Sequence, residues 1–278
     1  MREIFNKIAE KAEKVNPRNE GDYIGTNGLL YCGVCHTQKQ SAICIGGETM
    51  IVPCMCDCAA ESKKAEQEIV KAAERERRRK DTFSGGALMQ ATFANDDRKN
   101  EKLSQIARAC SEKLSPLSDW LLLYGGTGCG KSYIAAAIAN SIIDKDMSVI
   151  FTTLPELERQ LWDTESKQAV YNKLSHCDLL VLDDLGAERK TDYMSEITFT
   201  VIDNRLRSGL PCVITSNLSP QELFAPADLD MRRIMSRVCE KSLPVLCSGI
   251  DRRFDEMKTN AEKKLAELLK TGGAVEIC

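Results

Sequence analysis

The chain has 278 residues, of which 43% are hydrophobic and 28% charged, so it can bury a sizeable core. Its 38 Lys and Arg against 41 Asp and Glu give a net charge of −3, which excludes a globally basic, histone-like binder of nucleic acid. No apolar run approaches the roughly 18 residues that cross a bilayer. The opening residues, MREIFNKIAEKAEKV, carry acids in every turn and lack the apolar stretch of an export signal. We therefore expect a cytoplasmic protein without membrane contact.

Residues 1–60 are predicted to form a helix over residues 1–15, followed by a cysteine-rich module. The chain has 13 cysteines, and six of them lie between residues 32 and 58. An odd number without an export signal argues against a disulfide framework and favours a reducing compartment. The clustering indicates a metal site.

Two short motifs supply the predicted ligands of this site. Cys32-x-x-Cys35 is followed after 18 residues by Cys54-x-Cys56, and four thiolates can hold Zn²⁺ tetrahedrally. We expect Cys32, Cys35, Cys54 and Cys56 to bind zinc, with Cys58 or His36 as substitutes. A redox-active C-x-x-C pair and free structural cysteines are the competing interpretations.

Residues 61–101 are predicted to form a charged helix and a linker. The stretch AAESKKAEQEIVKAAERERRRK is Ala-rich and ends in a basic run, RERRRK. A solvated helix surface explains such a run better than a contact with phosphate or an acidic partner does. Residues 81–100 contain Gly85-Gly86 and Asn95-Asp96-Asp97, which are typical of a linker.

Residues 102–278 show short apolar runs that alternate with helical stretches. After a helix over residues 102–114, the predicted strands are Trp120–Tyr124, Ser148–Thr152, Asp178–Asp183, Pro211–Thr215 and Leu243–Cys247. The intervening helices are predicted to start near Lys131, Pro155, Tyr193, Pro220 and Asp230. This order predicts an α/β domain whose parallel sheet is covered by helices on both faces.

A phosphate-binding loop follows the first of these strands. Residues 125–132 fit G-x-x-x-x-G-K-[ST], between an apolar strand and a helix. Its members are Gly125, Gly126, Thr127, Gly128, Cys129, Gly130, Lys131 and Ser132. The glycines let backbone N–H groups wrap a phosphate, Lys131 neutralises the outer phosphates, and Ser132 can ligate Mg²⁺.

Polar residues end two later strands, at the sheet edge where ligands of parallel sheets bind. Asp183 is expected to hold the Mg²⁺ shell, and Asp184 to polarise the attacking water. Asn217 can orient that water against the γ-phosphate. The alternatives are a helix cap for Asp184 and a turn cap for Asn217. No Asn-Lys-x-Asp motif for reading guanine occurs, which favours ATP over GTP.

The series of motifs resembles the AAA+ ATPases of the DnaC/IstB group, most closely bacterial and phage replicative helicase loaders. The resemblance covers about residues 82–255. Besides the phosphate loop, its pieces are Thr92-Phe93 with Asp96-Asp97, Leu182–Glu188, Asp203-Asn204-Arg205, Thr215–Ser219, Met235-Ser236-Arg237 and Gly249–Arg253.

The resemblance implies a P-loop AAA+ fold of the ASCE class and two functional arginines. Arg237 would be the finger that reaches the ATP of a neighbouring subunit, and Arg253 would be the second sensor, with Arg252 as a competitor. Only about 25 residues follow Arg253 in this sequence, so we expect no full helical lid domain.

The resemblance also implies a function. The chain would be an ATPase that binds a hexameric replicative DNA helicase through the zinc module and self-associates on single-stranded DNA. A transposition helper ATPase of the same group and a metal-containing adaptor that binds ATP without productive hydrolysis are the alternatives. Nothing in the sequence resembles the acceptor pocket or lid of a small-molecule kinase.

Overall fold

The computed structural model describes residues 18–45, 47–84, 86–96, 101–113, 119–189, 191–249, 251, 257 and 261–265. The chain divides into two compact units, Met1–Glu74 and Arg75–Cys278. The helix predicted for residues 1–15 lies outside the described residues.

The first unit is built from two small antiparallel hairpins. Strands β1 (Tyr23–Ile24) and β2 (Leu30–Tyr31) form one pair, and β3 (Gln40–Ile45) and β4 (Glu48–Pro53) form the other. Helix α1 (Asp57–Phe83) follows, and the division between the units falls within it. The basic run predicted to be helical belongs to α1.

A buried ion pair stabilises the first unit. Lys39 Nζ lies 2.7 Å from Asp22 Oδ2, and each side chain is only 1% exposed. Asp22 also accepts hydrogen bonds from the backbone N–H groups of Asn19 and Gly33. The hydrogen bond from Lys39 is the main reason that the pKa of Asp22 falls to about 2.

The second unit contains the parallel sheet that the sequence predicts. Its strands are β5 (Trp120–Tyr124), β6 (Val149–Thr153), β7 (Leu179–Leu185), β8 (Cys212–Ser216) and β9 (Ser242–Leu246). They lie in the order β6-β7-β8-β5-β9, and every pairing is parallel. The carboxyl ends of β5, β7 and β8 therefore meet at one edge of the sheet.

Helices cover both faces of this sheet. They are α2 (Glu101–Glu112), α3 (Lys131–Ile143), α4 (Leu154–Asp163), α5 (Lys167–His176), α6 (Asp192–Ser208), α7 (Pro220–Phe224) and α8 (Leu229–Lys241). One core contains Leu122 and Ile214 with helices α4, α6 and α8, and the other contains Leu123 and Val213 with α3. Side chains that alternate along a strand enter opposite cores, which is why these strands are apolar throughout.

The basic run at the end of α1 has acidic partners within the second unit. The guanidinium of Arg75 forms two bonds of 2.9 and 3.0 Å to the carboxylate of Asp146. Arg78 donates to the backbone oxygen of Asp146 at 2.8 Å, and Arg79 pairs with Asp144. The run therefore anchors the end of α1 beside the end of α3.

Part of the predicted linker packs against α3. Residues Ala87–Gln90 form a 3₁₀ helix. Asn140 Nδ2 donates to the backbone oxygens of Leu88 and Ala91, and the hydroxyl of Tyr133 donates to that of Thr92. The linker interpretation is thus wrong for this segment, because its backbone oxygens are bound by side chains of α3.

Arg205, in one of the motifs that carry the resemblance, is fully buried. Its guanidinium donates to backbone oxygens that include those of Leu174, Cys177 and Pro211. These acceptors lie at the end of α5 and at the starts of β7 and β8. Arg205 therefore stabilises the sheet at the edge opposite the strand ends that carry Asp183 and Asn217.

Strand β9 forms one edge of the sheet and contains a proline. Pro244 lies opposite Leu122 of β5, and two leucines of the same strand, Leu243 and Leu246, are 49% and 56% exposed.

Within the described residues, every helix is too short or too polar to cross a membrane.

Candidate functional site

The loop between β5 and α3 has the backbone geometry of a phosphate cradle. Gly125 has φ 140° and Gly130, which precedes the first turn of α3, has φ 92°. A Cβ atom at Gly125 would lie 2.3 Å from the backbone oxygen of Cys247, so only glycine fits there. The loop therefore leads directly into a helix N-terminus, where backbone N–H groups and the helix dipole favour an anion.

Lys131 connects this loop to the end of β8. Its side chain is buried, and Nζ donates to the backbone oxygens of Gly125 at 2.9 Å and Gly126 at 2.6 Å. It also donates to Oδ1 of Asn217 at 2.7 Å. A single ammonium group thus bridges two elements that the sequence predicted to meet.

Asp183 lies at the carboxyl end of β7, within reach of the phosphate loop. Its carboxylate accepts hydrogen bonds from the hydroxyls of Thr215 and Ser132. Burial raises the pKa of Asp183 and outweighs these two hydrogen bonds, which lower it. Hydroxyl and carboxylate oxygens are the ligands that Mg²⁺ takes in such sites, so Ser132 and Asp183 fit the ion that the sequence predicts.

Asp184 has an unusual backbone conformation that directs its side chain to Asn217. Its φ is 63°, in the left-handed region that is costly for residues other than glycine. Nδ2 of Asn217 donates to Oδ1 of Asp184. The next helix after Asp184 is capped by Thr191, so the helix-cap interpretation of Asp184 is wrong. The side chain of Asn217 bonds to Lys131 and Asp184 rather than to the turn that follows it.

The remaining loop residues have defined contacts. Cys129 is 3% exposed, and its thiol donates to the backbone oxygen of Gly126 at 3.0 Å. The Thr127 hydroxyl donates to Oδ2 of Asp251 at 3.5 Å. A Cβ atom at Gly128 would collide with the carboxylate of Asp251. Asp251 is therefore a neighbour of the loop that the sequence analysis did not assign; Arg252 and Arg253 lie outside the described residues.

Arg237 lies on α8 and contacts helix α6. Its Nη1 is 2.8 Å from Oδ1 of Asp203, and its guanidinium lies 4.9 Å from the ring centre of Phe199. Arg233, one turn earlier, stacks on the same ring. The ion pair and the ring hold Arg237 in one orientation on this face of the unit.

Four cysteines of the first unit converge. The sulfurs of Cys32, Cys35, Cys56 and Cys58 all lie within 4.8 Å of one another. Cys58 Sγ is 3.5 Å from the sulfurs of both Cys32 and Cys56. Tetrahedral zinc with Zn–S bonds of about 2.3 Å needs sulfurs roughly 3.8 Å apart, so this set fits the metal.

The grouping corrects the prediction for Cys54. The sulfur of Cys54 donates to the backbone oxygen of Gln38 at 3.4 Å instead. Cys54 directly follows β4, whereas Cys56 precedes α1 and Cys58 lies in its first turn. The N-terminus of α1 therefore faces the thiolates, and its dipole favours their negative charge.

The environment of the thiols already favours ionisation at one of them. The pKa of Cys35 is lowered to about 5, chiefly by its hydrogen bond with the Thr37 hydroxyl. The pKa of Cys58 rises to about 12, chiefly through its hydrogen bond with Cys35. Four adjacent thiols cannot all ionise alone, and a divalent cation would compensate the charge.

Sequence reasoning missed two side chains at these sites. Thr215 was noted at the end of its strand, but its contact with Asp183 depends on the local pairing of β7 and β8. Cys58 was a substitute ligand, and its place in the first turn of α1 distinguishes it from Cys54. In the structure that helix begins at Asp57, whereas the sequence analysis began it at the stretch AAESKK, which follows Cys58.

Comparisons with known proteins agree with this geometry. A family profile described as "IstB-like ATP binding protein" matches residues 66–230, more than half of the chain. The chain is 34% identical over 146 residues to the replicative helicase loader DnaI of Bacillus subtilis (strain 168), and this alignment covers 48% of this chain and 47% of that protein. It is 30% identical over 119 residues to the replicative helicase loader DnaC of Escherichia coli (strain K12), and that alignment covers 41% of this chain and 47% of the relative. The chain thus spans about half the length of these curated relatives.

Solved structures are similar over the same region. A crystal structure of DnaI matches with a TM-score of 0.52 and 26% identity, over 59% of this chain and 92% of that chain. A crystal structure of the DnaC helicase loader matches with a TM-score of 0.51 and 23% identity, over 58% of this chain and 98% of that chain. The second likeness, at this identity, concerns the fold alone.

Proposed function

Because the chain belongs to the family of IstB-like ATP-binding proteins, we propose that it is an ATPase that loads a hexameric replicative helicase onto single-stranded DNA. The observation that carries the ATPase part is the network joining Lys131, Asn217 and Asp184 beside Asp183. The likeness to proteins named replicative helicase loaders supports the role in replication initiation.

Each residue of the network has a proposed task in hydrolysis. Lys131 exchanges its present acceptors for the outer phosphates, and Ser132 and Asp183 hold Mg²⁺. The ion would neutralise the charge that develops on the phosphates. Asp184 accepts a hydrogen bond from the attacking water, and the amide of Asn217 fixes the direction of its carboxylate.

We propose that Arg237 acts on the ATP of a neighbouring subunit. Its contacts with Asp203 and Phe199 keep the guanidinium oriented rather than free to rotate in solvent. An arginine supplied in this way makes hydrolysis depend on self-association, which single-stranded DNA would promote. Arg253 is proposed as the second sensor from the resemblance alone.

The cysteine cluster supports the proposed helicase contact. A zinc ion held by four thiolates can fold a module that is too small for a core of its own. Such a module, separate in sequence from the ATPase residues, can hold a protein partner while the ATPase cycles. The transposition helper remains the alternative, and it would act on duplex DNA.

The test uses the full chain and the replicative helicase of its source cell. The wild type should co-elute with the helicase hexamer in size-exclusion chromatography and, with ATP, transfer it to circular single-stranded DNA. Lys131→Ala should co-elute but fail to transfer, and Lys173→Ala, an exposed lysine on α5, should behave as wild type. Absence of co-elution, together with tight binding to duplex DNA, would instead support the transposition helper.

A further inference from the structure

Strands β7 and β8 change register where Asp183 and Asp184 lie. Leu182 pairs with Ile214, and the next pair is Leu185 with Ser216. Two residues of β7 therefore stand opposite Thr215 alone, which is the pattern of a β-bulge. A bulge leaves one backbone N–H without its usual ladder partner, and that group needs another acceptor.

The side chain of Thr215 supplies this acceptor. Its Oγ1 accepts a hydrogen bond of 2.8 Å from the backbone N–H of Asp184. The same hydroxyl donates at 2.6 Å to Oδ1 of Asp183. Because a hydroxyl has only one proton, accepting from Asp184 and donating to Asp183 fixes its direction. Thr215 is 1% exposed, so water does not compete for these bonds.

The backbone of Asp184 needs such a restraint. A φ of 63° is unfavourable for a residue other than glycine, and it persists only where its surroundings enforce it. In this conformation the carboxylate of Asp184 accepts the hydrogen bond from Asn217. The hydrogen bond that Asp184 donates to Thr215 thus restrains the residue whose backbone decides where that carboxylate points.

A neighbouring side chain already closes the bulge on the other side. The hydroxyl of Ser216 donates to the backbone oxygen of Leu185 at 2.6 Å, which restores a strand-to-strand bond. The hydroxyl of Thr215 donates to a side-chain carboxylate instead. Its donor bond is therefore not needed to complete the sheet.

We propose that Thr215 is a positioning residue whose single hydroxyl orients Asp183 towards the metal ion and Asp184 towards the attacking water. The inference rests on the proposed ATPase role of the site. Because the hydroxyl of Thr215 is bonded to both aspartates, its loss should affect metal binding and hydrolysis together.

The test compares Thr215→Val, Thr215→Ala and Thr215→Ser in the full chain. Thr152→Val is the matched control, because Thr152 is also buried in the sheet and its hydroxyl donates to the backbone oxygen of Thr153. The readouts are the affinity for a fluorescent ATP analogue against Mg²⁺ concentration, the same affinity in EDTA, and Mn²⁺ binding to the protein–nucleotide complex by electron paramagnetic resonance. Folding is checked by thermal melting.

Thr215→Val and Thr215→Ala should need about 10-fold more Mg²⁺ or Mn²⁺, as when groups that orient a metal ligand are removed. Their affinity in EDTA should equal that of wild type. Thr215→Ser should restore the metal requirement of wild type, and Thr152→Val should leave it unchanged.

Equal Mg²⁺ dependence in Thr215→Val, Thr215→Ala and wild type would overturn the proposal. Failure of both apolar variants to fold would also overturn it, because the hydroxyl would then be purely structural. If wild type itself binds the nucleotide without any dependence on Mg²⁺, the proposed ATPase function fails first, and the two failures are thereby distinguished.

Discussion

Burial raises the pKa of the Asp183 carboxyl, so its charge opposes folding at neutral pH. Asp183→Asn should therefore stabilise the nucleotide-free protein by about 1 kcal/mol, the order expected when a functional site is relieved of strain. The gain should be largest at neutral pH and should vanish as the pH falls below the ordinary Asp pKa of 3.8, where the wild-type carboxyl becomes protonated in both the folded and the unfolded state. Thermal melting against pH measures it.

The matched control for this prediction is Asp163→Asn, which removes an exposed carboxylate at the end of α4. It should give no comparable gain at any pH. A destabilised Asp183→Asn at pH 7 would contradict the assigned cause, because it would mean that the charge stabilises the fold. Binding of the nucleotide with Mg²⁺ should be lost in Asp183→Asn in either case.

At the scale of residues, sequence spacing alone could identify the site residues that belong to a short local motif. Lys131 follows a glycine at a set distance, and Asp183 ends an apolar strand. Thr215 could not be assigned because its role depends on a bulge between two strands, where its partner Asp184 lies 31 positions away in sequence. Likewise Cys54 and Cys58 flank Cys56 with equal spacing, and only the start of α1 distinguishes them.

At the scale of elements, the cysteine cluster joins the end of a hairpin to the first turn of α1. Cys58→Ser should lose zinc, because its sulfur lies against those of Cys32 and Cys56. Cys54→Ser should retain about one zinc per chain, since that sulfur faces a backbone oxygen. Atomic absorption on protein dialysed without chelator measures both.

Cys44→Ser is the control for this pair, because Cys44 is an exposed cysteine on β3. It should keep the zinc content of wild type. Loss of zinc from Cys54→Ser with retention in Cys58→Ser would refute the grouping, and wild-type protein without zinc would refute the metal itself.

The five strands of the parallel sheet could be predicted to within a residue or two, because each is an apolar run between turn residues. The strands β1 to β4 of the first unit were not predicted. The break between α4 and α5 could not be predicted, because the chain turns there without a glycine or a proline. Thr164 ends α4 and Ser166 caps α5 through the N–H of Ala169. The packing of residues 87–92 was hidden for another reason: its partners, Asn140 and Tyr133, are distant in sequence.

At the scale of the whole molecule, the proposed finger predicts activity that only an assembly possesses. Lys131→Ala and Arg237→Ala should each hydrolyse ATP poorly, since an arginine finger contributes about 10³-fold or more in well-studied NTPases. A mixture should regain part of the activity, because one subunit supplies an intact phosphate loop and its neighbour an intact arginine. The rate of phosphate release with single-stranded DNA present measures this recovery.

Arg233→Ala is the control for the finger. Arg233 stacks on the same ring of Phe199 but is 5.3 Å from its centre, one turn earlier on α8. Its loss should leave hydrolysis nearly unchanged, whereas Arg237→Ala should bind ATP normally and lose turnover. If the two inactive variants co-assemble without any recovery, Arg237 is an ordinary surface arginine.

Strand β9 lies at one edge of the sheet, and its central residue, Pro244, has no amide proton. Pro244 breaks the row of backbone donors along β9, so a further strand could not form a continuous ladder there. Aggregation through this edge is thereby disfavoured, although Leu243 and Leu246 leave apolar surface beside it. In the proposed assembly on nucleic acid, subunits that approached one another at β9 would therefore meet there through helices and loops, and such contacts could form and dissociate without the near-irreversible pairing of strand to strand.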